Sequence, residues 1–167
     1  VVRYMAALSH AFTIAVREWG WLDDSPMRKV SKPKEPRGRV RFLSDEERIA
    51  LLVACKKSDA AYLYPMVVLA LSTGMRLGEI LSIAWPDINM NDQYIILHKT
   101  KNGERRRVPL TGHALEQVKK LGKIRQFNSP KLFPNPASST TPLRITRPWG
   151  EALAEARIED FRFHDLR

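Results

Sequence analysis

Residues 69–88 read LALSTGMRLGEILSIAWPDI, and the punctuation of this stretch decides the fold. An apolar run from Tyr62 to Leu71 ends in Ser72-Thr73-Gly74, a turn. Leu77, Ile80, Leu81 and Ala84 then recur at helical spacing, giving a helix with one apolar face that Pro86 is expected to terminate. Upstream, Ser44 followed three residues later by Glu47 is a capping box, with Asp45 and Glu46 suited to the positive end of the helix it starts. Ile49, Leu52 and Val53 are expected to form that helix's buried face, with Cys55 a small core residue near its end. Downstream, strands are expected at Tyr94–Thr100 and Arg105–Leu110, joined through Asn102-Gly103, a strong hairpin signal. Helical patterns follow at Ala114–Leu121 and at Trp149–Ala156, the latter with Thr146 as N-cap and Trp149 in the core. Helices, one hairpin, then helices again make an α+β domain dominated by helix, without internal repeats.

The first forty residues read differently. Met5, Leu8, Phe12, Ala15 and Trp19 form one apolar stripe on an amphipathic helix. His10 and Arg17 interrupt the Ala-rich stretch and argue against a signal peptide. From Arg28 to Arg41 the chain reads RKVSKPKEPRGRVR, seven basic residues against one acid, and Pro33 and Pro36 bias their neighbours to extended backbone. The expected organisation is a partial helical domain over 1–30, a basic linker over 31–41 and a main domain over 42–167. With no initiating Met and a helix already under way at the start, the chain is expected to be a piece of a longer protein.

Composition narrows the function. The 167 residues carry 28 Lys+Arg against 18 Asp+Glu, a formal charge of +10. Such an excess favours a polyanionic partner, nucleic acid before an anionic membrane. A single cysteine excludes an internal disulfide and fits a reducing compartment. No apolar run reaches eighteen residues, and four scattered histidines with one cysteine do not make a structural zinc site. The expectation is a soluble, intracellular, metal-free protein.

Five residues carry candidate chemistry. Arg76 and Glu79 stand three apart at a helix start and emerge on one side of it. Lys101 stands at the hairpin tip, where a flexible amine can be delivered to a substrate. His164 and Arg167 are three apart in FHDLR. Taken singly these are an ordinary ion pair, a solubilising lysine and an accident of an Arg-rich chain. Together they are what phosphoryl transfer needs. Two guanidiniums can grip non-bridging oxygens and stabilise a pentavalent transition state. A lysine can protonate a leaving alkoxide, and a histidine can share proton transfer or donate a hydrogen bond to phosphate. Converging carboxylates for a two-metal nuclease are missing from the pattern.

These blocks resemble those of the tyrosine recombinases, the phage-type integrases and their relatives that resolve chromosome dimers. LALSTGMRLGEILSIAWPDI is similar to the block around the family's first catalytic arginine, which implies that role for Arg76 and a supporting one for Glu79. HKTKNGERRRVPLT is similar to the β-hairpin block, which implies Lys101 as the catalytic lysine. FHDLR resembles the opening of the His-x-x-Arg block, which implies His164 and Arg167. The resemblance makes residues 1–30 the last helix of a core-binding domain, and the two domains a C-shaped clamp on double-stranded DNA. It implies cleavage through a 3′-phosphotyrosine, no cofactor, a homotetramer on DNA for the whole protein, and a bacterial or prophage-encoded cytoplasmic enzyme. The family's pattern continues past His-x-x-Arg to its nucleophile, whereas Tyr4, Tyr62, Tyr64 and Tyr94 all lie upstream of that block. Tyr62 and Tyr64 read as packing residues and Tyr94 as a strand residue. The 167-residue chain is therefore expected to bind DNA poorly or moderately and not to cleave it, and, without the C-terminal segment by which family members dock into a neighbour, to be monomeric.

Three other readings stay open: a type IB topoisomerase, a DNA clamp that has lost its chemistry, and a basic scaffold. Steep salt dependence separates the DNA-binding readings from the scaffold. Arg37, Arg39 and Arg41 in the linker and Arg105 and Arg107 on the strand are the candidate phosphate contacts, with Arg105, Arg106 and Arg107 alternating faces. His98 and His113 have no obvious partner in the sequence.

Overall fold

The chain folds as two units, Val1–Val40 and Arg41–Arg167, in a computed structural model that describes residues 2–34, 40–98, 105–125, 129–138 and 141–167. In the first unit α1 runs over Val2–Arg17, and only Ala15 of it is buried. The expected stripe stops short of Trp19. The Trp21 N–H donates back to the Ala15 carbonyl and Gly20 takes a positive φ of 62°, which turns the chain off the helix axis. Trp19 and Trp21 instead pack on each other, ring centroids 4.4 Å apart, on the surface. The start of the basic run is ordered. Pro26–Lys29 forms a 3-10 turn, opened by a proline whose missing N–H costs nothing there, and Arg28 pairs with Asp24 at 2.9 Å.

The second unit is built on α3 (Leu63–Thr73), whose sequence LYPMVVLALST carries no charge. A helix apolar on every side must be surrounded. Leu63, Met66 and Leu69 are fully buried, each stabilising the fold by roughly 1.5–3 kcal/mol. Packed against α3 are α2 (Asp45–Lys57), α4 (Leu77–Ser82), α5 (Gly112–Lys123) and a 3-10 turn at Phe163–Leu166, while α6 (Thr146–Glu155) packs on α2. The helices α2 to α6 therefore enclose one core, beside a small antiparallel sheet.

Several local expectations need correction. The capping box of α2 forms as read, with the Glu47 N–H donating to Ser44 Oγ at 3.1 Å and the Ser44 N–H to Glu47 Oε2 at 2.9 Å. Its buried face is not Ile49, Leu52 and Val53 but Leu51, Ala54 and Cys55. Ile49 is 60% exposed and Val53 48%. The stretch IALLVAC is apolar around the whole helix, so its period leaves two faces open, and contact with α3 and α6 chooses one. Helix α4 ends at Ser82, before Ala84. There the Trp85 N–H donates to the Pro130 carbonyl and the Leu132 N–H to the Ile83 carbonyl, drawing the chain into a bridge with Lys131. Pro86 sits in the 3-10 turn Trp85–Asp87 rather than stopping α4. Thr146 is the first residue of α6 and not its cap, because the Ile145 carbonyl already accepts the Trp149 N–H. Trp149 is buried as expected, against Phe161 and Phe163.

The sheet has one strand more than expected, β1 (Ile88–Asn89), ahead of β2 (Tyr94–Leu97) and β3 (Arg106–Pro109), in the order β1-β2-β3. Both described strands of the expected hairpin are shorter than read, and residues 99–104 between them lie outside the described residues. The β2–β3 register pairs Tyr94 with Pro109, Ile95 with Val108, Ile96 with Arg107 and Leu97 with Arg106. Ile95, Leu97 and Val108 are buried, which fixes the inner face of the sheet. Among the described residues no helix is long and apolar enough to cross a membrane.

Candidate active site

The site begins where α3 stops. Gly74 takes a left-handed backbone (φ 63°) and returns its N–H to the Ala70 carbonyl, a closure that lets the chain reverse within two residues. Buried Met75 pins the reversal, and Arg76 becomes the N-cap of α4. An arginine cannot accept the helix's free N–H groups, and the local balance is restored from the other direction. Glu79, at the third position of α4, reaches back, and its Oε2 accepts the Arg76 N–H at 2.8 Å. Its Oε1 accepts Arg76 Nη1 at 2.9 Å. Oε2 also accepts Nη2 of Arg106, 27 residues away on β3, at 2.9 Å.

This is more than the surface pair that Arg76 and Glu79 suggest by spacing. Glu79 is only 6% exposed, while the Arg76 and Arg106 side chains are each 41% exposed. Burial pushes the Glu79 carboxyl up, but the Arg76 N–H and guanidinium, with Arg106 beside them, outweigh it and hold the group below its ordinary value. The carboxylate is thus ionised at neutral pH, and the trio keeps one net positive charge with both guanidiniums open to solvent. Each fork has five N–H donors and gives one Nη to Glu79, so either can also grip an oxyanion.

Arg106 is the residue that sequence reading passed over in favour of Arg105 and Arg107. The signal was there: counting back by two from Val108 puts Arg106 on the core-facing side of β3 and its two neighbours on the other. Arg105 and Arg107 are indeed exposed, and the Arg107 guanidinium lies over the Tyr94 ring, 4.8 Å from its centroid. Arg41 is engaged within its own unit, forming a two-pronged ion pair with Glu47 and lying 5.5 Å from the Phe161 centroid. Arg37, Arg39 and Lys101 lie outside the described residues.

His164 and Arg167 belong to the turn Phe163–Leu166 and its end. Phe163 and Leu166 are buried, anchoring the turn on α3, while His164 and Arg167 are exposed. Among the described residues no hydrogen bond or ion pair joins either of them to the Arg76–Glu79–Arg106 trio. The turn packs on α3, and so does α4, which carries Arg76 at its N-cap and Glu79 in its first turn, while Arg106 comes from β3.

Two other histidines, His98 and His113, have partners that the sequence did not disclose. His98 Nε2 lies 2.8 Å from Asp87 Oδ1, and His113 bridges the Tyr64 hydroxyl at 2.9 Å and Glu116 at 3.2 Å. Tyr94 is likewise engaged, its hydroxyl accepting from Asn89 at 3.3 Å, and Tyr62 packs against the core. Tyr4 is exposed in the first unit. Among the described residues no three of His, Cys, Asp and Glu gather where they could hold a metal ion.

Comparison with known proteins identifies the family. The chain is 36% identical over 163 residues to the shufflon-specific DNA recombinase of Escherichia coli, covering 98% of this chain and 40% of that protein. It is 34% identical over 168 residues to the integrase of Salmonella phage P22, covering 92% and 41%. The chain thus spans about two fifths of the length of these curated relatives. Among solved structures, that of a lambda integrase tetramer bound to a Holliday junction superposes with a TM-score of 0.72 at 24% identity, over 97% of this chain and 50% of that one. A family model described as the phage integrase family matches residues 41–167, which is the whole of the second unit. The chain belongs to the phage integrase family, the tyrosine recombinases.

Proposed function

We propose that the protein is a site-specific DNA recombinase that cleaves and rejoins double-stranded DNA through a 3′-phosphotyrosine. Arg76 and Arg167 grip the non-bridging oxygens of the scissile phosphate. A tyrosine hydroxyl attacks phosphorus, the tyrosyl O–P bond forms, and the P–O5′ bond breaks. Lys101 protonates the departing 5′-oxygen, and His164 donates a hydrogen bond to the phosphate or shares the proton transfer. The freed 5′-hydroxyl then attacks the phosphotyrosine of a partner strand, so that bond energy is conserved through a Holliday junction without a cofactor. The observation that carries this reading is the buried, ionised Glu79, which holds Arg76 in place with its guanidinium half-exposed.

The attacking tyrosine lies outside these 167 residues. Tyr64 and Tyr94 are tied to other side chains, Tyr62 packs in the core, and Tyr4 belongs to the first unit. The chain alone therefore binds DNA as a monomer without cutting it. Residues 1–30 act as the last helix of a core-binding domain and 31–41 as a basic linker, with 42–167 the catalytic domain. Arg37, Arg39, Arg41, Arg105 and Arg107 supply phosphate contacts, and the whole protein works as a homotetramer on its recombination site. The phage and bacterial relatives support a cytoplasmic enzyme, bacterial or encoded by a phage or prophage.

The test expresses the reading frame from its own start to its own stop and mixes the product with nicked duplex carrying attachment sequence. An SDS-resistant protein–DNA adduct, lost in Arg76→Ala, and joining of two duplexes are the expected results. Relaxation of supercoils without strand exchange would select the topoisomerase. Salt-sensitive binding without any adduct would make the protein a clamp that has lost its chemistry.

A further inference from the structure

Arg76 binds Glu79 from one place only. Its N–H and its guanidinium belong to one residue, three positions away on a six-residue helix, so both contacts move with the start of α4. Arg106 comes from elsewhere. Backbone pairing of Leu97 with Arg106 and of Ile95 with buried Val108 fixes its position on the sheet, and its Nη2 meets the same carboxylate oxygen that the Arg76 N–H uses. We propose that Arg106 is a positioning residue of the cleavage site, tying Glu79 to β3 and thereby holding the Arg76 guanidinium in the orientation that meets the scissile phosphate. The inference rests on the recombinase reading for its phosphate, while its contacts stand independently of that reading.

Neighbouring arginines cannot substitute. Arg105 precedes β3, and Arg107 lies on the opposite face of the strand, where it covers Tyr94. A lysine at 106 would keep the charge but offer a compact ammonium in place of a planar fork, so it should restore the function in part. Glu79 faces two cations among the described residues, Arg76 from α4 and Arg106 from β3. Loss of Arg106 removes one of the two groups that keep the buried carboxyl ionised, and the carboxyl then protonates at higher pH.

The test measures adduct formation on nicked duplex by the whole protein as wild type, Arg106→Met and Arg106→Lys. With Arg106→Met, DNA affinity should hold, the adduct rate at saturating DNA should fall roughly ten- to a hundredfold, and the acid limb of its pH profile should move to higher pH. Arg106→Lys should recover part of the rate. Weakened DNA binding with an unchanged saturated rate and acid limb would overturn the proposal, making Arg106 a simple phosphate contact, and no change at all would overturn it too. A second readout needs no catalysis. In ¹⁵N spectra of the 167-residue chain, the Arg76 Nη signals, identified by their loss in Arg76→Lys, should be resolved in wild type and averaged in Arg106→Met while the amide spectrum persists. Arg106→Gln, a milder change, repeats this measurement if the Met variant does not fold. Arg76 signals that stay resolved would overturn the positioning role. A wild type that forms no adduct, with Arg76 released by the substitution, would sink only the recombinase reading.

Discussion

Replacing Glu79 by glutamine changes one oxygen into an NH₂ group and removes one buried charge at almost constant volume. The wild-type carboxylate accepts three hydrogen bonds of 2.8–2.9 Å, two of them from guanidiniums. The amide has one acceptor oxygen, so at least one contact is lost outright and turns into a donor facing a donor, while what remains is no longer charge-assisted. A hydrogen bond to a charged group contributes about 1.5–3 kcal/mol. Because both guanidiniums are 41% exposed, water recovers part of that loss. The expected cost is about 2 kcal/mol, or a fall in Tm of about 6–10 °C for a unit of this size. The pH dependence follows from the direction of the shift. Glu79 has a folded value below its unfolded one, so its stabilisation is present above about pH 4.3 and is lost as pH falls through the folded value. Urea melts of wild type and Glu79→Gln should therefore differ by a constant amount from pH 7 to about pH 5 and converge below that. A difference under about 0.5 kcal/mol at pH 7, or one that persists unchanged at pH 3, would refute the reasoning.

Three further predictions concern other parts of the molecule. Arg105→Ala and Arg107→Ala should each reduce the slope of log K against log salt for duplex DNA by about 1, measured by fluorescence anisotropy. Cys55 is buried and its thiol is pushed up to about 12, so a thiol reagent at pH 8 should leave it unmodified in the native chain and label it rapidly in urea. Gly74→Ala meets no neighbouring atom within 4 Å, so its cost should be the left-handed backbone alone, roughly 1–2 kcal/mol in a chemical melt.

What could be read from the sequence was what local rules decide. The capping box at Ser44, the buried α3, the reversal at Gly74 and the pairing of Arg76 with Glu79 depend on residues three or four apart, and each forms. What escaped was decided between elements. The IALLVAC stretch of α2 is apolar all round, so only its neighbours choose Leu51 over Ile49. The end of α4 depends on Pro130 and Leu132, more than 40 residues downstream, and the partner of His98 is Asp87, 11 residues earlier on a turn that no local pattern announced. Arg106 falls between these cases. Its distance from Glu79 is invisible in the sequence, but its face of the strand is fixed by Val108 and Leu110, both buried.

Two guanidiniums around one buried carboxylate also explain why such a costly group is kept. Burying Glu79 is tolerable only because it is fully paired, and pairing it with a single arginine would leave a neutral site with little pull on an anion. The second arginine restores one positive charge at the surface. If Arg167 and a protonated Lys101 join it at the phosphate, as the proposed function requires, the site carries three. A phosphodiester in the ground state has one negative charge, and the pentavalent transition state of tyrosine attack has two. That positive charge therefore gains more from the doubly charged transition state than from the bound DNA, which is the condition for binding energy to appear as rate. Changing Arg106 to a neutral residue lowers that charge as well as loosening the aim of Arg76, and both effects act on the cleavage step before they act on DNA affinity.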